Sequence, residues 1–217
     1  MRLSSSYTED TTNPDRETIM GIQSVELTAE NERELVLLCQ TGDRQAFNRL
    51  VMRYQNLVYT FLRRMAPKWN DLDDLAQEVF VKMFHSIHSL KEASQFKSWL
   101  YRIAVTVYLD EYRRWKKRQS RFVSDEEALR THMAEHGDPK EAIEQKELQQ
   151  KIQDALEKLP EEYRMTIVLR EIQELSYEEI AQTLHISEGT VRSRIFRGRK
   201  LLQELLQKEV RQKGGWV

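Results

Sequence analysis

The chain has 217 residues, with 34 Lys and Arg against 35 Asp and Glu, and a formal net charge of -1. That length allows one large domain or two small ones, and the scarcity of breakers, 7 Gly and 4 Pro, favours helical modules. No apolar run approaches the roughly 20 residues that span a bilayer, and the N-terminus is polar and acidic, so a soluble cytoplasmic protein without membrane insertion is expected.

Residues 1 to 27 are rich in Ser, Thr, Asp and Glu with no apolar period and read as a disordered arm. A first helix carries Leu35, Leu38 and Cys39. Thr41-Gly42-Asp43 stops and restarts the chain into a second helix with Phe47, Leu50, Val51, Tyr54, Val58, Phe61 and Leu62, which Pro67 ends. Cys39 has no partner cysteine and sits among apolar neighbours, so it reads as a small core residue.

A third helix starts near Asp71 and buries Leu72, Leu75, Val79, Met83 and Ile87 at spacings of three and four. Its opening acids Asp71, Asp73, Asp74 and Glu78 invite a metal reading. The helix dipole explains acids there equally well, and no His or Cys stands at ligand spacing, so a protein-docking face that includes Gln77 and Glu78 is the better reading. After a polar loop from Ser89 to Lys97, a fourth helix runs from Ser98 to about Arg118. In its basic half Arg113, Arg114, Lys116, Lys117 and Arg118 interleave with Tyr108, Tyr112 and Trp115, a pattern that suits phosphates and unpaired bases. The same helical spacing suits a core; packing is the reading for Tyr101, and both readings stand for Trp115.

From residue 119 to 148 acids dominate and Gly137-Asp138-Pro139 interrupts any helix, so a flexible acidic linker is expected. Periodicity returns at Ile152, Ala155, Leu156 and Leu159, pauses at Pro160, and resumes through Ile167 and Leu169 into LSYEEIAQTLHISEGTVRSRIFRGRKLL, residues 175 to 202. This segment reads as a helix, a three-residue turn and a second helix capped by Ser187. On a wheel of about 100° per residue, Val191, Ile195 and Leu202 share one face, and Ser193, Phe196, Arg197 and Lys200 share the opposite one. The first face anchors; the second suits base edges and phosphates in a major groove. The local excess of cations outweighs the neutral total charge. The second helical unit is expected to end near residue 210, with 211 to 217 frayed.

The fold expected is therefore all-α: two small helical domains joined by a flexible linker, the C-terminal one containing a helix-turn-helix. His85, His88, His132, His136 and His185 form no zinc or catalytic pattern, and no Ser-His-Asp, Cys-His or Gly-rich phosphate signature occurs, so neither an enzyme nor a cofactor is expected.

Three blocks, DLDDLAQEVFVKMF, FKSWLYRIAVTVYLDEYRR and LEKLPEEYRMTIVLREIQELSYEEIAQTLHISEGTVRSRIFRGRKLL, closely resemble bacterial RNA polymerase sigma factors of the extracytoplasmic-function group. The resemblance covers about residues 30 to 118 and 149 to 208, and gives residues 28 to 118 to sigma region 2 and 149 to 210 to sigma region 4. It implies a dissociable subunit that binds core RNA polymerase through the β′ clamp helices and the β flap. Such a subunit recognises the -10 and -35 elements of promoter DNA, initiates transcription of a stress-responsive regulon, and is held by an anti-sigma factor, which can tether it at the membrane.

Carried to matching positions, the resemblance assigns Asp74, Gln77, Glu78 and Phe80 to core polymerase. It assigns Ser89, Leu90, Phe96, Lys97, Trp99, Arg102, Thr106, Arg113 and Arg114 to the -10 element, the loop capturing a flipped-out base. Thr190, Arg192, Ser193, Phe196, Arg197 and Lys200 go to the -35 element. Where the family commonly has Asn, this chain has Thr106, which implies an altered -10 preference. Two rivals explain less. A stand-alone helix-turn-helix regulator does not need the basic aromatic helix, and a magnesium nuclease needs acids converging from several elements.

Overall fold

The computed structural model describes the backbone of residues 29–119 and 139–212, with side chains for 32–118 and 147–208. The expected arm, residues 120–138 of the expected linker with His132 and His136, and the tail beyond Gln212 lie outside the described residues. All regular structure among the described residues is helical.

The first bundle consists of α1 (Ala29–Gln40), α2 (Arg44–Met65), α3 (Leu72–Ser86) and α4 (Phe96–Gln119), with two 3-10 turns, Ile87–Ser89 and Ala93–Gln95, between α3 and α4. Gly42 permits the reversal from α1 to α2 through a positive φ of 94°, and the Asp43 carboxylate accepts from the Gln45 and Ala46 amides to start α2. Most of the apolar stripe read from the sequence becomes the core, but Leu38 is 40% exposed and Val36, one helical turn before Cys39, is buried in its place. Val36, Leu50, Val58, Phe61, Leu62, Val79, Met83 and Leu100 are fully enclosed, each contributing about 1.5–3 kcal/mol. Cys39 is buried with them, and burial pushes its thiol up to about 11, which keeps it protonated and unreactive at neutral pH.

The second bundle opens with α5 (Pro139–Glu157), so helix begins inside the stretch expected as linker. Proline at the first helical position loses no hydrogen bond, because that amide has no partner in a helix, and its ring presets φ. Then come α6 (Glu161–Ile167), which widens into a π turn at Val168–Ile172, α7 (Tyr177–Leu184) and the long α8 (Glu188–Gln212). Glu174 takes a positive φ of 58° as the chain leaves the π turn toward α7. Helices α6 and α8 approach so closely at Gly198 that an added Cβ would lie 2.8 Å from Ile167 Cγ1. Glycine there is a packing requirement.

The two bundles pack directly together, α4 against α7 and the end of α2 against α5. Thr183 donates to the Ser98 carbonyl at 3.3 Å, and Arg64 donates to Gln153 Oε1 at 3.1 Å. Tyr101, fully buried, donates its hydroxyl proton to Gln173 Oε1; burial raises its phenol well above the usual range, so it stays a neutral donor. Gln173 Nε2 and Arg164 Nε lie buried without a hydrogen-bond partner. Unsatisfied buried donors each cost about 1–3 kcal/mol, which offsets part of what the apolar packing shared by the two bundles contributes.

Candidate nucleic-acid interface

The helix-turn-helix is built by local capping. Ser176 Oγ accepts from the Glu179 amide at 3.2 Å while Glu179 Oε2 accepts from the Ser176 amide at 2.7 Å, a reciprocal box that starts α7. His185, at a φ of 54°, ends α7 in the left-handed conformation. Ser187 Oγ accepts from the Thr190 amide at 3.1 Å and starts α8, as the sequence predicts. Thr190's own hydroxyl lies 2.9 Å from Ser187 Oγ, and the Ser193 hydroxyl donates to the Thr190 carbonyl at 2.9 Å.

With Val191 and Ile195 buried, the opposite face of α8 turns outward, and Phe196 is 72% exposed. Leaving an aromatic ring that open is unfavourable unless something covers it. The cations of α8 then divide. Arg194 and Arg199 lie on the flanks of the helix; Arg194 Nη2 meets Glu162 at 2.8 Å, and Arg199 donates through Nε and Nη2 to Glu171 at 3.0 and 2.7 Å. Arg192, Arg197 and Lys200 are exposed and have no ion pair among the described residues. A cleft of about 460 Å³ runs beside them, lined by Tyr177, Arg192, Phe196, Arg199, Lys200 and Gln203.

The -10 set divides less simply. Ser89 is exposed and Lys97 and Trp99 are half-buried, but the Phe96 side chain is fully buried, packed edge-on against Tyr54 at 5.1 Å. Leu90 is buried as well, 8% exposed. Both side chains turn into the core and anchor the loop between α3 and α4 from below. Thr106 is exposed on α4, and its hydroxyl donates to the Arg102 carbonyl one turn back at 2.8 Å. Arg113 pairs with Asp110 at 3.0 Å and Arg114 with Glu111 at 3.4 Å, each three residues back.

Tyr108, Tyr112 and Trp115 form a stacked ladder with Trp69, ring centroids 5.6–5.9 Å apart along Trp69–Tyr108–Tyr112–Trp115. Trp69, which approaches from the turn before α3, packs against Trp115, whose ring stays half-buried.

On α3, Asp74 and Gln77 face outward and Glu78 pairs with Lys82 at 2.8 Å, while Phe80 is half-buried against the core. Sequence reasoning missed Val81 and Phe84, 47% and 49% exposed on the same helix. Their signal was available: Gln77, Val81 and Phe84 align at spacings of four and three. Phe84 packs edge-on against Phe47 at 5.0 Å, which holds it at the surface. Also missed was Gln40, whose side chain reaches the loop after α3; nothing in its local pattern marked it. Among the described residues no group of His, Cys, Asp or Glu is arranged to hold a metal ion, and no helix is long and apolar enough to cross a membrane.

Comparison with known proteins places the chain in a family. Residues 50–119 match the family model for sigma-70 region 2, and residues 149–202 match that for sigma-70 region 4. The chain is 39% identical over 181 residues to the ECF RNA polymerase sigma-E factor of Haemophilus influenzae, covering 81% of this chain and 95% of that one. It is 38% identical over 187 residues to the protein of the same description from Escherichia coli, covering 83% and 96%. Among solved structures, CnrH in complex with the cytosolic domain of CnrY superposes with a TM-score of 0.63 at 27% identity, over 83% of this chain and 99% of that one. The sigma factor RpoE in complex with the anti-sigma factor NepR from Bartonella quintana gives 0.62 at 26%, over 74% and 96%. With both regions matched in order and the identity sustained over most of its length, the chain belongs to the extracytoplasmic-function group of RNA polymerase sigma factors.

Proposed function

We propose that three separate surfaces divide the work of this sigma factor. The outward face of α8, with Arg192, Phe196, Arg197 and Lys200, reads the -35 element in the major groove. The loop between α3 and α4 takes a -10 base out of the stack, with Ser89, Lys97 and Trp99 at its rim and Arg102, Arg113 and Arg114 following the phosphates along α4. The outer face of α3, with Asp74, Gln77 and Glu78 beside the exposed Val81 and Phe84, docks on the clamp helices of core polymerase, where acids and apolar side chains together suit a basic, partly apolar coiled coil. Polymerase supplies the chemistry.

The observation that carries the reading is the division of charge on α8: two arginines tied to the scaffold, and three cations left open around a ring 72% exposed. An anti-sigma factor is the expected inhibitory partner, since both structural neighbours were solved with a second chain and one of these is described as an anti-sigma factor. A cytoplasmic location and a stress-responsive regulon belong to the same proposal. Purified protein combined with core polymerase should initiate from a promoter carrying both elements. Reversing charge at Asp74 and Glu78 should abolish association with core while leaving helical content and -35 duplex binding intact. Co-purification of that double variant with core at the wild-type yield would overturn the docking assignment.

A further inference from the structure

Gln40 is the last residue of α1, yet its side-chain nitrogen reaches across the bundle to the carbonyl oxygens of Ile87 and Leu90, at 3.0 and 2.7 Å. Both amide protons are used. The two acceptors bracket the 3-10 turn that follows α3, and the turn closes on itself through the Leu90 amide and the Ile87 carbonyl at 3.1 Å. A neutral primary amide suits this task, because one planar nitrogen offers two protons to two diverging acceptors without burying a charge.

The base of Gln40 is fixed. Thr41 Oγ1 donates to the Leu38 carbonyl at 2.8 Å, and Gly42 and Asp43 turn the chain immediately into α2. Beyond the turn, Ala93 and Phe96 are buried, while Lys91, Glu92, Ser94 and Gln95 point outward. The segment is thus an exposed rim mounted on apolar anchors and one amide clamp. Without the clamp, the Leu90 carbonyl loses its partner and the rim gains freedom to move away from its anchors.

We infer that Gln40 is a positioning residue for -10 recognition: its amide sets the backbone of the α3–α4 loop in the shape that receives the captured base, while making no contact with DNA itself. This rests on the proposed role of the loop as the -10 pocket. A base pocket discriminates only when its walls are held to within a fraction of an ångström, and one residue donating to both ends of a turn provides that constraint.

The test uses the full chain with core polymerase and a promoter library randomised in the -10 element. Gln40→Met keeps the length and removes both donors. It should flatten the -10 preference and slow open-complex formation about tenfold, with core association and -35 binding unchanged. Amide hydrogen exchange in residues 90–96 should rise by a similar factor, while α2 and the buried half of α4 keep their protection. Gln40→Glu, which points a carboxylate at two carbonyls, should behave at least as badly.

An unchanged -10 profile for Gln40→Met overturns the inference. So does a uniform loss across all -10 sequences with their ranking preserved, which would mean that Gln40 only stabilises the fold. If Gln40→Met does not fold, Gln40→Glu and the exchange pattern of the wild-type loop decide, and exchange from residues 90–96 as fast as from an open chain overturns it. A rim variant, Ser89→Ala with Lys97→Ala, separates the two levels. If the rim variant alters the preference and Gln40→Met does not, only the role of Gln40 fails; if the rim variant leaves the preference intact, the pocket reading fails and the inference with it.

Discussion

Helices α4 and α8 both carry dense positive charge, and they hold it in opposite ways. On α4, Arg113, Arg114 and Arg118 pair with Asp110 and Glu111 of the same helix, so each cation is exposed, locally screened and able to exchange its carboxylate for a phosphate. On α8, the tied arginines reach other elements, Arg194 to Glu162 on α6 and Arg199 to Glu171 in the π turn. Those pairs tie α8 to α6 and the π turn, while Arg192, Arg197 and Lys200 stay exposed on its outer face. Exposed ion pairs contribute only about 0–1 kcal/mol each, so these add to the packing of Val191, Ile195 and Gly198 rather than replace it. The difference fits the roles proposed for the two helices, cations on α4 that follow a phosphate backbone and cations on α8 that address particular bases.

The most severe way to break this contrast is to displace α8. Gly198→Leu drives a branched side chain into Ile167 and Tyr163 and should cost about 3 kcal/mol of stability. Denaturant unfolding would register a lower midpoint together with loss of -35 binding, and a midpoint at the wild-type value would show that α6 and α8 have room to separate.

Arg197→Ala tests the reading role itself. It should weaken -35 binding by about 1–3 kcal/mol and relax preference at one or two positions, whereas Arg113→Ala should lower affinity evenly across -10 sequences and reduce the salt slope by about one. A promoter-variant screen at several salt concentrations distinguishes them, and the same even loss from both would erase the contrast between the helices.

Glu171→Gln releases Arg199 from its carboxylate. Binding to unrelated duplex should rise, with a steeper salt dependence, while the ratio of specific to non-specific binding falls by a factor of a few, since one exposed pair is worth under about 1 kcal/mol. An unchanged ratio would mean that packing alone orients α8.

The smallest effect concerns the contact between the bundles. Burial holds the Glu161 carboxyl above the usual carboxylate range, against the opposing pull of Arg164, Lys116 and Arg113. A folded-state value above the unfolded one stabilises fully below the unfolded value, and this contribution is lost as pH rises through the folded value. Stability measured from pH 4 upward should therefore fall in wild type relative to Glu161→Gln, which carries no charge to bury. Parallel curves would place Glu161 in solvent rather than in the contact.

Much of the architecture was legible from periodicity and capping chemistry, because those are local. The apolar spacing of Leu72, Leu75, Val79 and Met83 marks the buried stripe of α3 as directly as Ser187 marks the start of α8, and both hold in the structure. The outer face of α8 followed from the same wheel. The family blocks were readable for the same reason, since their residues lie within continuous segments.

What the sequence by itself could not determine is which neighbour each side chain meets once distant segments pack. Phe96 and Leu90 stand in and beside a polar loop, and nothing local shows that they anchor it; Tyr54 and the core lie beneath them. Nothing near Trp115 in the sequence marks the contact it makes with Trp69, which completes the aromatic ladder from another turn. Nothing in the local pattern of α8 separates Arg194 and Arg199 from its other cations; carboxylates 32 and 28 residues away pair with them. Gln40 has no motif at all, and its two acceptors lie 47 and 50 residues along the chain. Burial, ion pairing and long-range hydrogen bonds are properties of surfaces brought together in three dimensions, so local spacing defines the helices and their faces, and only tertiary packing decides which exposed groups remain free to recognise a partner.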